Sequence, residues 1–311
     1  MIVDLPDTTT SKVSKEIVAM REKGGVVTLG RVLTLVVDTD PDFVEEAIAA
    51  ANEASREHPC RIIVLAGGSP DGKTRLDAEI RVGGDAGASE VIVLYRHGEL
   101  TAESVSLVSA LLLPDAPIVV WWPHGVPGNP AQTPLGCIAH RRITDAATEA
   151  DPKKALLGLG EAYADGDTDL SWTRLTSWRI QLAAVLDEAG PDPVTGVTVA
   201  GASDSASTFL LAAWLKHALQ VPVKIIEGEV GTGIRQVVFE RSGGNVELQR
   251  PDQITAYLTQ PGQPEQQISL PRRNLRDCLA EELRRLDPDE VYGEVLTQGL
   301  AACLSQEGAT A

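Results

Sequence analysis

Apolar and polar positions along this chain follow two alternating patterns. Short apolar runs rich in Val and Ile are typical of strands covered on both faces, and they occur in VTLGRVLTLVV, CRIIVLAG, SEVIVLY and APIVVWW. Between several of these runs, apolar residues recur at every third or fourth position, as they do on one face of a helix. Strands that alternate with helices predict an α/β layer fold.

The first half of the chain contains three predicted helices. An opening helix follows the capping cluster Thr8–Ser11 and places Val13, Ile17 and Met20 on one face. A second helix is predicted in DPDFVEEAIAAANEASREH and a third over Thr101–Leu112. The alternating segment RLDAEIRVGG adds a half-buried strand, and CIAHRRITDA is predicted as a helix or a strand.

A single long helix is predicted at the start of the second half, in LSWTRLTSWRIQLAAVLD from Leu170 to Asp187. Trp172 and Trp178 lie six residues apart, which puts them on roughly opposite sides of one helix at about 100° per residue. At least one of the two rings is therefore expected to leave the face that packs on the core.

The rest of the second half is predicted to alternate between strands and helices. These elements are the strand VTGVTVAG, the helix Ser205–Leu219, the strands VPVKIIEG, IRQVVFERSGG and NVELQR, a strand near Thr255–Leu258, and the helices Asn274–Leu286 and Asp289–Leu300. The segment Gly228–Gly233 resembles a dinucleotide-binding loop, but it lies between two strands. Because no helix N-terminus follows it, a hairpin turn is predicted there.

The length of the chain predicts two domains, because 311 residues exceed the usual size of a single core. The Gly- and Asp-rich segment DPKKALLGLGEAYADGDTDL favours a boundary that divides the chain into residues 1–165 and 166–311. Each part is predicted as a layered α/β domain with a mixed sheet. The two halves have a similar order of predicted strands and helices around HPCRIIVLAG and VPVKIIEG. Either an old duplication or chance convergence would explain that similarity.

The charge balance restricts the class of partner. Lys and Arg number 27 against 44 Asp and Glu, which gives a formal charge of −17. Such a surface disfavours nucleic acids and anionic membranes, since both are polyanions. No apolar stretch approaches the roughly 20 residues of a membrane span, and MIVDLPDTTT does not resemble a signal peptide, so a cytoplasmic protein is expected.

No known catalytic, cofactor or metal motif is present in the sequence. Cys60, Cys137, Cys278 and Cys303 are all expected to be reduced thiols, and unrelated thiols are favoured for the last two. The alternative is a redox pair of Cys278 and Cys303, which would form if the last helices fold back on each other. The segment GGDAGASEV, from Gly83 to Val91, would line a small anion pocket through its backbone amides. No cofactor and no metal site are predicted.

Two further segments carry candidate binding residues. In LLLPDAPIVVWWP, adjacent Trp121 and Trp122 point to opposite faces of a strand, so one ring enters the core. The other ring requires a second apolar layer, a ligand or a partner. Arg141 and Arg142, next to His140, either hold a phosphate or a partner carboxylate, or form ion pairs within the protein.

The chain resembles the OpcA type of glucose-6-phosphate dehydrogenase assembly protein, an actinobacterial family. The resemblance runs through VTLGRVLTLVV, ASREHPCRIIVL, LDAEIRVGGDAGASEVIVL, LLLPDAPIVVWWP, HRRITDA, DTDLSWTRLTSWR and DEVYGEVL. It implies a non-enzymatic protein that binds the dehydrogenase at the entry of the oxidative pentose phosphate pathway and favours its active oligomer or its substrate affinity. In related photosynthetic organisms, such proteins are associated with thiol-dependent regulation, and redox control stays open for this chain, whose cysteines are dispersed.

A partner-binding surface is predicted around the proline-rich loop that follows Trp122, because interfaces favour aromatic anchors beside guanidinium groups. Its candidate residues are Trp121, Trp122, His124, His140, Arg141, Arg142 and Trp172. Two other classes of function stay open at this point. One is an enzyme that acts on a sugar phosphate, and the other is a carrier that binds a small metabolite.

Overall fold

A computed structural model describes residues 1–24, 30–82, 90–102, 104–188 and 192–307. The chain divides into two compact units, each made of several segments. The first unit consists of Met1–Asp145, Gly166–Thr168 and Leu275–Pro288, and the second of Ala146–Asp165, Asp169–Asn274 and Asp289–Ala311. The predicted domain boundary at residue 165 stays a prediction.

The first unit is built on a mixed sheet. The described strands are β1 (Ile2–Leu5), β2 (Leu33–Thr39), β3 (Cys60–Gly67), β4 (Arg75–Arg81), β5 (Glu90–His97), β6 (Ile118–Trp121), β7 (Arg141–Thr144) and β8 (Asp167–Asp169). They lie in the order β1-β4-β5-β3-β2-β6-β7-β8. The central strands pair in parallel, whereas β4 is antiparallel to both β1 and β5. The apolar runs CRIIVLAG, EVIVLY and IVVW are confirmed as strands. Of the predicted strand VTLGRVLTLVV, only the part from Leu33 onward is strand, since residues 30–32 precede β2 and residues 27–29 lie outside the described residues.

The second unit contains a smaller mixed sheet. Its described strands are β9 (Val194–Ala202), β10 (Val223–Gly228), β11 (Ile234–Arg241), β12 (Val246–Gln249), β13 (Thr255–Thr259) and β14 (Gln266–Ser269), in the order β10-β9-β11-β12-β13-β14. Strands β9 and β10 pair in parallel and all other neighbours are antiparallel. Two mixed sheets with helices confirm the predicted α/β class.

Helices join and cover these strands. They are α1 (Thr10–Gly24), α2 (Val44–Ala54), α3 (Pro152–Glu161), α4 (Leu170–Thr173), α5 (Thr176–Glu188), α6 (Ala206–Leu219), α7 (Leu275–Arg284), α8 (Glu290–Glu294) and α9 (Leu300–Glu307), with a π-helical turn over Val295–Gly299. The predicted apolar face of α1 is confirmed, because Val13, Ile17 and Met20 are buried in the core of the first unit. Helix α6 connects the parallel strands β9 and β10, which makes a β-α-β unit.

The predicted helix over Thr101–Leu112 is wrong. The described residues there form only two short 3₁₀ turns, Gly98–Thr101 and Val105–Leu107. The hydroxyl of Ser104 accepts a hydrogen bond from the amide of Ser106 at 3.3 Å, so it caps a single tight turn. Serine side chains that bond to nearby backbone groups compete with helix formation, and this segment is rich in serine.

The predicted long helix from Leu170 to Asp187 is also wrong in one respect, because it is two helices, α4 and α5. The side chains of Trp172 and Trp178 are only 1% and 3% exposed. The expectation that one ring leaves the core is therefore wrong. The angular argument assumed one continuous axis, whereas the break after Thr173 lets each tryptophan face its own part of the core.

Candidate functional site

The carboxyl end of β6 holds both predicted tryptophans inside the first unit. Trp121 is fully buried and Trp122 is 4% exposed, so two apolar layers cover the strand. Beyond them, His124 is half-buried and stacks on Phe43, with 4.0 Å between ring centroids. His140 is exposed, and its Nδ1 accepts a hydrogen bond from the amide of Ile118 at 3.1 Å.

The arginine pair on β7 is occupied by carboxylates of the same unit. The Nε and Nη2 of Arg141 donate to Oε2 of Glu282 at 3.1 and 2.6 Å, and both side chains are buried. The Nε of Arg142 donates to Oδ1 of Asp167, which is also buried. These bonds tie β7 to α7 and to β8. Of the alternatives that the sequence left open, the structure shows internal ion pairs.

The second unit buries the remaining predicted aromatic residue. The Nε1 of Trp172 donates to Oδ2 of Asp289 at 2.8 Å, and the guanidinium of Arg179 lies 3.8 Å from the centre of the Trp172 ring. Trp172 also contacts Tyr292, with 5.7 Å between ring centroids. The indole is therefore held by polar and aromatic neighbours within its own unit.

The predicted cysteine pair divides between the units. Cys278 lies on α7 of the first unit and Cys303 on α9 of the second, and both are buried thiols that form no disulfide among the described residues. Their redox role stays a prediction, as does the partner-binding surface. The candidate loop GGDAGASEV falls largely on residues 83–89, which lie outside the described residues.

Sequence reasoning missed a cavity of about 290 Å³ in the second unit, which we call the arginine cavity. It lies at the carboxyl end of β9 and the amino end of α6, the position where open α/β sheets commonly bind ligands. Its lining residues are Ala147, Thr148, Arg174, Trp178, Asp204, Ser205, Ala206, Ser207, Gly231, Gly233, Ile234, Arg250, Pro271, Arg272 and Arg273. Four arginines thus face one aspartate, in a chain whose net charge is −17.

Arg250 is the buried cation of this cavity. Its side chain is 4% exposed, and its Nη1 and Nη2 donate to the backbone carbonyls of Leu270 and Ile234 at 3.2 and 3.0 Å. Its Nε is buried and, within the described residues, has no hydrogen-bond partner. The guanidinium also lies 5.1 Å from the centre of the Trp178 ring.

The electrostatics of Arg250 reflect this burial. Loss of water, together with the nearby charge of Arg272, lowers the pKa of Arg250 to about 10, and Asp252 offsets only part of that effect. The side chain is still a cation at neutral pH. Its charge is costly to the fold, because burial penalises the charged form.

The loop between β10 and β11 forms another wall of the cavity. Its Gly231 amide donates to the carboxylate of the exposed Asp204 at 3.0 Å, and its Gly231 carbonyl accepts from Nη1 of Arg272 at 3.1 Å. The predicted hairpin turn over Gly228–Gly233 is wrong, because β10 and β11 lie on either side of β9. The loop instead crosses the end of β9, and two of its glycines line the cavity.

The amino end of α6 adds backbone donors to the cavity. Ser205 caps the helix by accepting a hydrogen bond from the amide of Thr208 at 3.3 Å. The amides of Ala206 and Ser207, in the first turn, donate to no group in the described part of the chain. Helix amino termini carry partial positive charge and favour anions. The cavity as a whole therefore has the chemistry of an anion site.

Few sequence signals could have located this cavity. Arg174, Arg250 and the pair Arg272-Arg273 are spread over a hundred residues and come together only through the fold. Among the described residues, no group of three His, Cys, Asp or Glu side chains is placed to hold a metal ion. In that same part of the chain, no helix has both the length and the apolar character to cross a membrane.

Comparison with protein-family models gives two matches, which lie one after the other along the chain. Residues 51–161 match the model of the N-terminal domain of a glucose-6-phosphate dehydrogenase subunit, and residues 165–296 match the model of the C-terminal domain. Both models describe the OpcA type. No match was found among curated proteins.

Solved structures show similarity in fold. A 3-ketoreductase from Actinomadura kijaniata, solved with NADP, is 12% identical, covers 87% of this chain and 96% of its own, and superposes with a TM-score of 0.50. A variant of that enzyme is 11% identical over 89% of this chain and 97% of its own, with a TM-score of 0.51. An oxidoreductase from Sinorhizobium meliloti is 11% identical over 91% and 99%, with a TM-score of 0.48. At these identities, the first two matches support the α/β fold alone.

Proposed function

The chain belongs to the glucose-6-phosphate dehydrogenase assembly protein family, and from this membership we propose that it is a non-enzymatic factor that binds the dehydrogenase. Binding would promote the active oligomer of that enzyme or its affinity for substrate, in the cytoplasm and at the entry of the oxidative pentose phosphate pathway. The observation that carries this proposal is the pair of family models, which together cover residues from both units.

The physical requirement for such a factor is differential binding. A partner that binds two states of an enzyme equally well shifts neither. A coupling of about 1–3 kcal/mol would change the apparent substrate affinity of the dehydrogenase about 5- to 150-fold. The proposed factor would therefore contact a part of the dehydrogenase that differs between its inactive and active states.

We place the contact on the proline-rich loop after Trp122 and on the residues beside it. Trp122 itself is buried, so it would support the loop from below and not touch the partner. His140 is exposed there, and so is Phe43, which is 37% exposed and stacks on the half-buried His124. Prolines restrict the loop backbone, which reduces the entropy lost when a loop is fixed by a partner.

The proposed function is tested by mixing the purified chain with its dehydrogenase. Native mass measurement gives the complex and its stoichiometry, and dehydrogenase velocity against glucose 6-phosphate gives the change in apparent affinity. We expect a defined complex and a velocity curve that shifts to lower substrate concentration. A chain that neither associates with the dehydrogenase nor alters its velocity, or that converts a sugar phosphate unaided, would contradict the proposal.

The contact surface has its own test, which leaves the core intact. The double variant Phe43→Ser, His140→Ala is expected to weaken binding of the dehydrogenase about tenfold or more, as the loss of an aromatic anchor does. The matched control is Ile254→Ser in the second unit, since Ile254 is 64% exposed and lies away from the loop in sequence. Equal affinity for the double variant and the control would refute this placement but not the proposed function.

A further inference from the structure

The buried arginines of this protein differ in one respect. Arg61, Arg96, Arg141 and Arg142 each form an ion pair with a carboxylate, the partners being Glu90, Asp38, Glu282 and Asp167. Arg250 is as deeply buried as these four, yet the described residues place no carboxylate within 4.0 Å of it. A buried charge without a counter-charge is costly, and protein structures seldom keep one without a use.

A second cation stands beside Arg250 at the opening of the arginine cavity. Arg272 is exposed, and within the described part of the chain its side chain donates to the Gly231 carbonyl. After burial, its charge is the next largest cause of the lowered pKa of Arg250. Two guanidinium groups that repel each other across a cavity are both stabilised when one anion binds between them.

The backbone supplies donors to the same cavity. The first-turn amides of Ala206 and Ser207 at the amino end of α6 have no hydrogen-bond acceptor in the described structure. Helix α6 has 14 residues, long enough to develop a full terminal dipole. Amides and guanidinium forks together match the several oxygens of a phosphate better than the two oxygens of one carboxylate.

We propose that the arginine cavity binds the phosphate group of a small phosphorylated metabolite through Arg250, Arg272 and the first-turn amides of α6. The cavity volume of about 290 Å³ lies just below the range of common ligand sites, which is about 300 to 1,000 Å³. It suits a phosphomonoester of a few carbons and is too small to enclose a dinucleotide. Trp178 gives the organic part of the ligand an apolar wall.

This inference is independent of dehydrogenase binding and is tested on the full chain alone. Calorimetric titration with inorganic phosphate, glycerol phosphate and glucose 6-phosphate measures the affinity, and glucose and glycerol at equal concentration serve as uncharged controls. Tryptophan fluorescence provides a second readout, since Trp178, one of five tryptophans, has its ring centre 5.1 Å from the Arg250 guanidinium. We expect saturable binding of the phosphate compounds and none of the uncharged controls. Tighter binding by an ester than by inorganic phosphate would identify the metabolite, not free phosphate, as the ligand.

Two variants connect the binding to these residues. Arg250→Met and Arg272→Gln are each expected to weaken phosphate affinity about tenfold or more, as loss of a hydrogen bond to a charged group does. Arg272 is exposed, so its variant should fold even if Arg250→Met does not. The matched control Arg276→Gln removes an exposed arginine of the first unit and should leave the affinity unchanged. No saturable phosphate binding, equal affinity for Arg272→Gln and the control, or preference for malonate over every phosphate compound would overturn the proposal.

Discussion

Both units of this protein contain an arginine cluster with a buried guanidinium, but only one of the two clusters has carboxylate partners. In the first unit, Arg141 and Arg142 lie against Glu282 and Asp167. In the second unit, Arg250 has two backbone carbonyls and the Trp178 ring as neighbours, and the described residues place no carboxylate within 4.0 Å of it. The first cluster is complete as it stands, because the charges cancel in place. The second would be completed by an anion from solution.

The difference shows that a run of adjacent cations is a poor guide to anion binding. The segment HRR is a candidate anion site by sequence, because two arginines stand side by side on an acidic chain. In the folded protein, both arginines form ion pairs with carboxylates from distant parts of the chain, Asp167 and Glu282. A better indicator of anion binding is a buried cation that has no carboxylate partner. That feature can be recognised only in the folded structure.

The largest expected effect comes from breaking the balanced cluster. Glu282→Leu leaves the guanidinium of Arg141 buried without its carboxylate, and loss of one partner of a buried ion pair costs about 3–5 kcal/mol. Urea unfolding measures this loss. The control Glu57→Gln removes one partner of the exposed pair with Arg284 and should cost less than about 1 kcal/mol. If both variants lose the same stability, the buried pair of Arg141 and Glu282 contributes no more to folding than an exposed pair does.

The next effect comes from removing the unbalanced cation. Arg250→Met relieves a buried charge but leaves two carbonyls without a donor, so we expect a change in the free energy of unfolding of less than about 2 kcal/mol. The wild-type protein should gain about 2.7 kcal/mol from phosphate at a hundred times its dissociation constant, and the variant should gain little. The measurement is urea unfolding with and without phosphate. A stability loss in Arg250→Met as large as that in Glu282→Leu would mean that Arg250 stabilises the fold as strongly as the buried ion pair does, and the proposed difference between the clusters would be wrong.

A smaller effect is expected from pH, and it distinguishes the clusters without mutation. Binding of a phosphomonoester should strengthen as pH rises through about 6, where the ester becomes a dianion. It should weaken as pH rises through about 10, because the lowered pKa of Arg250 allows that side chain to lose its proton there. Arg272 and Asp252 are the charged groups that act on Arg250, with opposite signs.

The same pKa has a consequence for the unliganded protein. An arginine whose pKa is lower in the folded than in the unfolded state binds fewer protons when folded, from about pH 10 up to the higher pKa that it has in the unfolded chain. Its contribution to stability therefore rises with pH through that range.

Titration calorimetry across pH measures the predicted pH dependence of phosphomonoester binding. An affinity that is flat from about pH 9 to 11 would contradict the role given to Arg250.

How far the sequence predicted this molecule can be judged from particular elements. The strands β3 and β5 are buried on both faces, and their unbroken apolar runs predicted them correctly. Strands β8 and β14 were missed because DTD and QQIS are polar and join sheets through tertiary pairing. The arginine cavity was missed for a related reason. The sequence around Arg174, Arg250 and Arg272 contains no motif that indicates a binding site. Arginine is an ordinary surface residue, and these three come together only in the folded chain.

The smallest expected effect concerns Asp204, the one carboxylate among the residues that line the arginine cavity in the described structure. Asp204→Asn removes its charge but keeps an oxygen to accept from the Gly231 amide, so the loop should stay in place. An exposed charge about 4 Å away in water contributes roughly 1 kcal/mol, so phosphate affinity should rise about two- to fivefold. Calorimetric titration at low salt measures this, with the exposed Glu240→Gln as the control for net charge alone. If Asp204→Asn and Glu240→Gln raise affinity equally, the gain reflects the charge of the whole chain. A gain confined to Asp204→Asn means that the charges lining the cavity set the phosphate affinity. Arg141 and Arg142 on β7 differ in this property, because carboxylates of the protein already neutralise their charges.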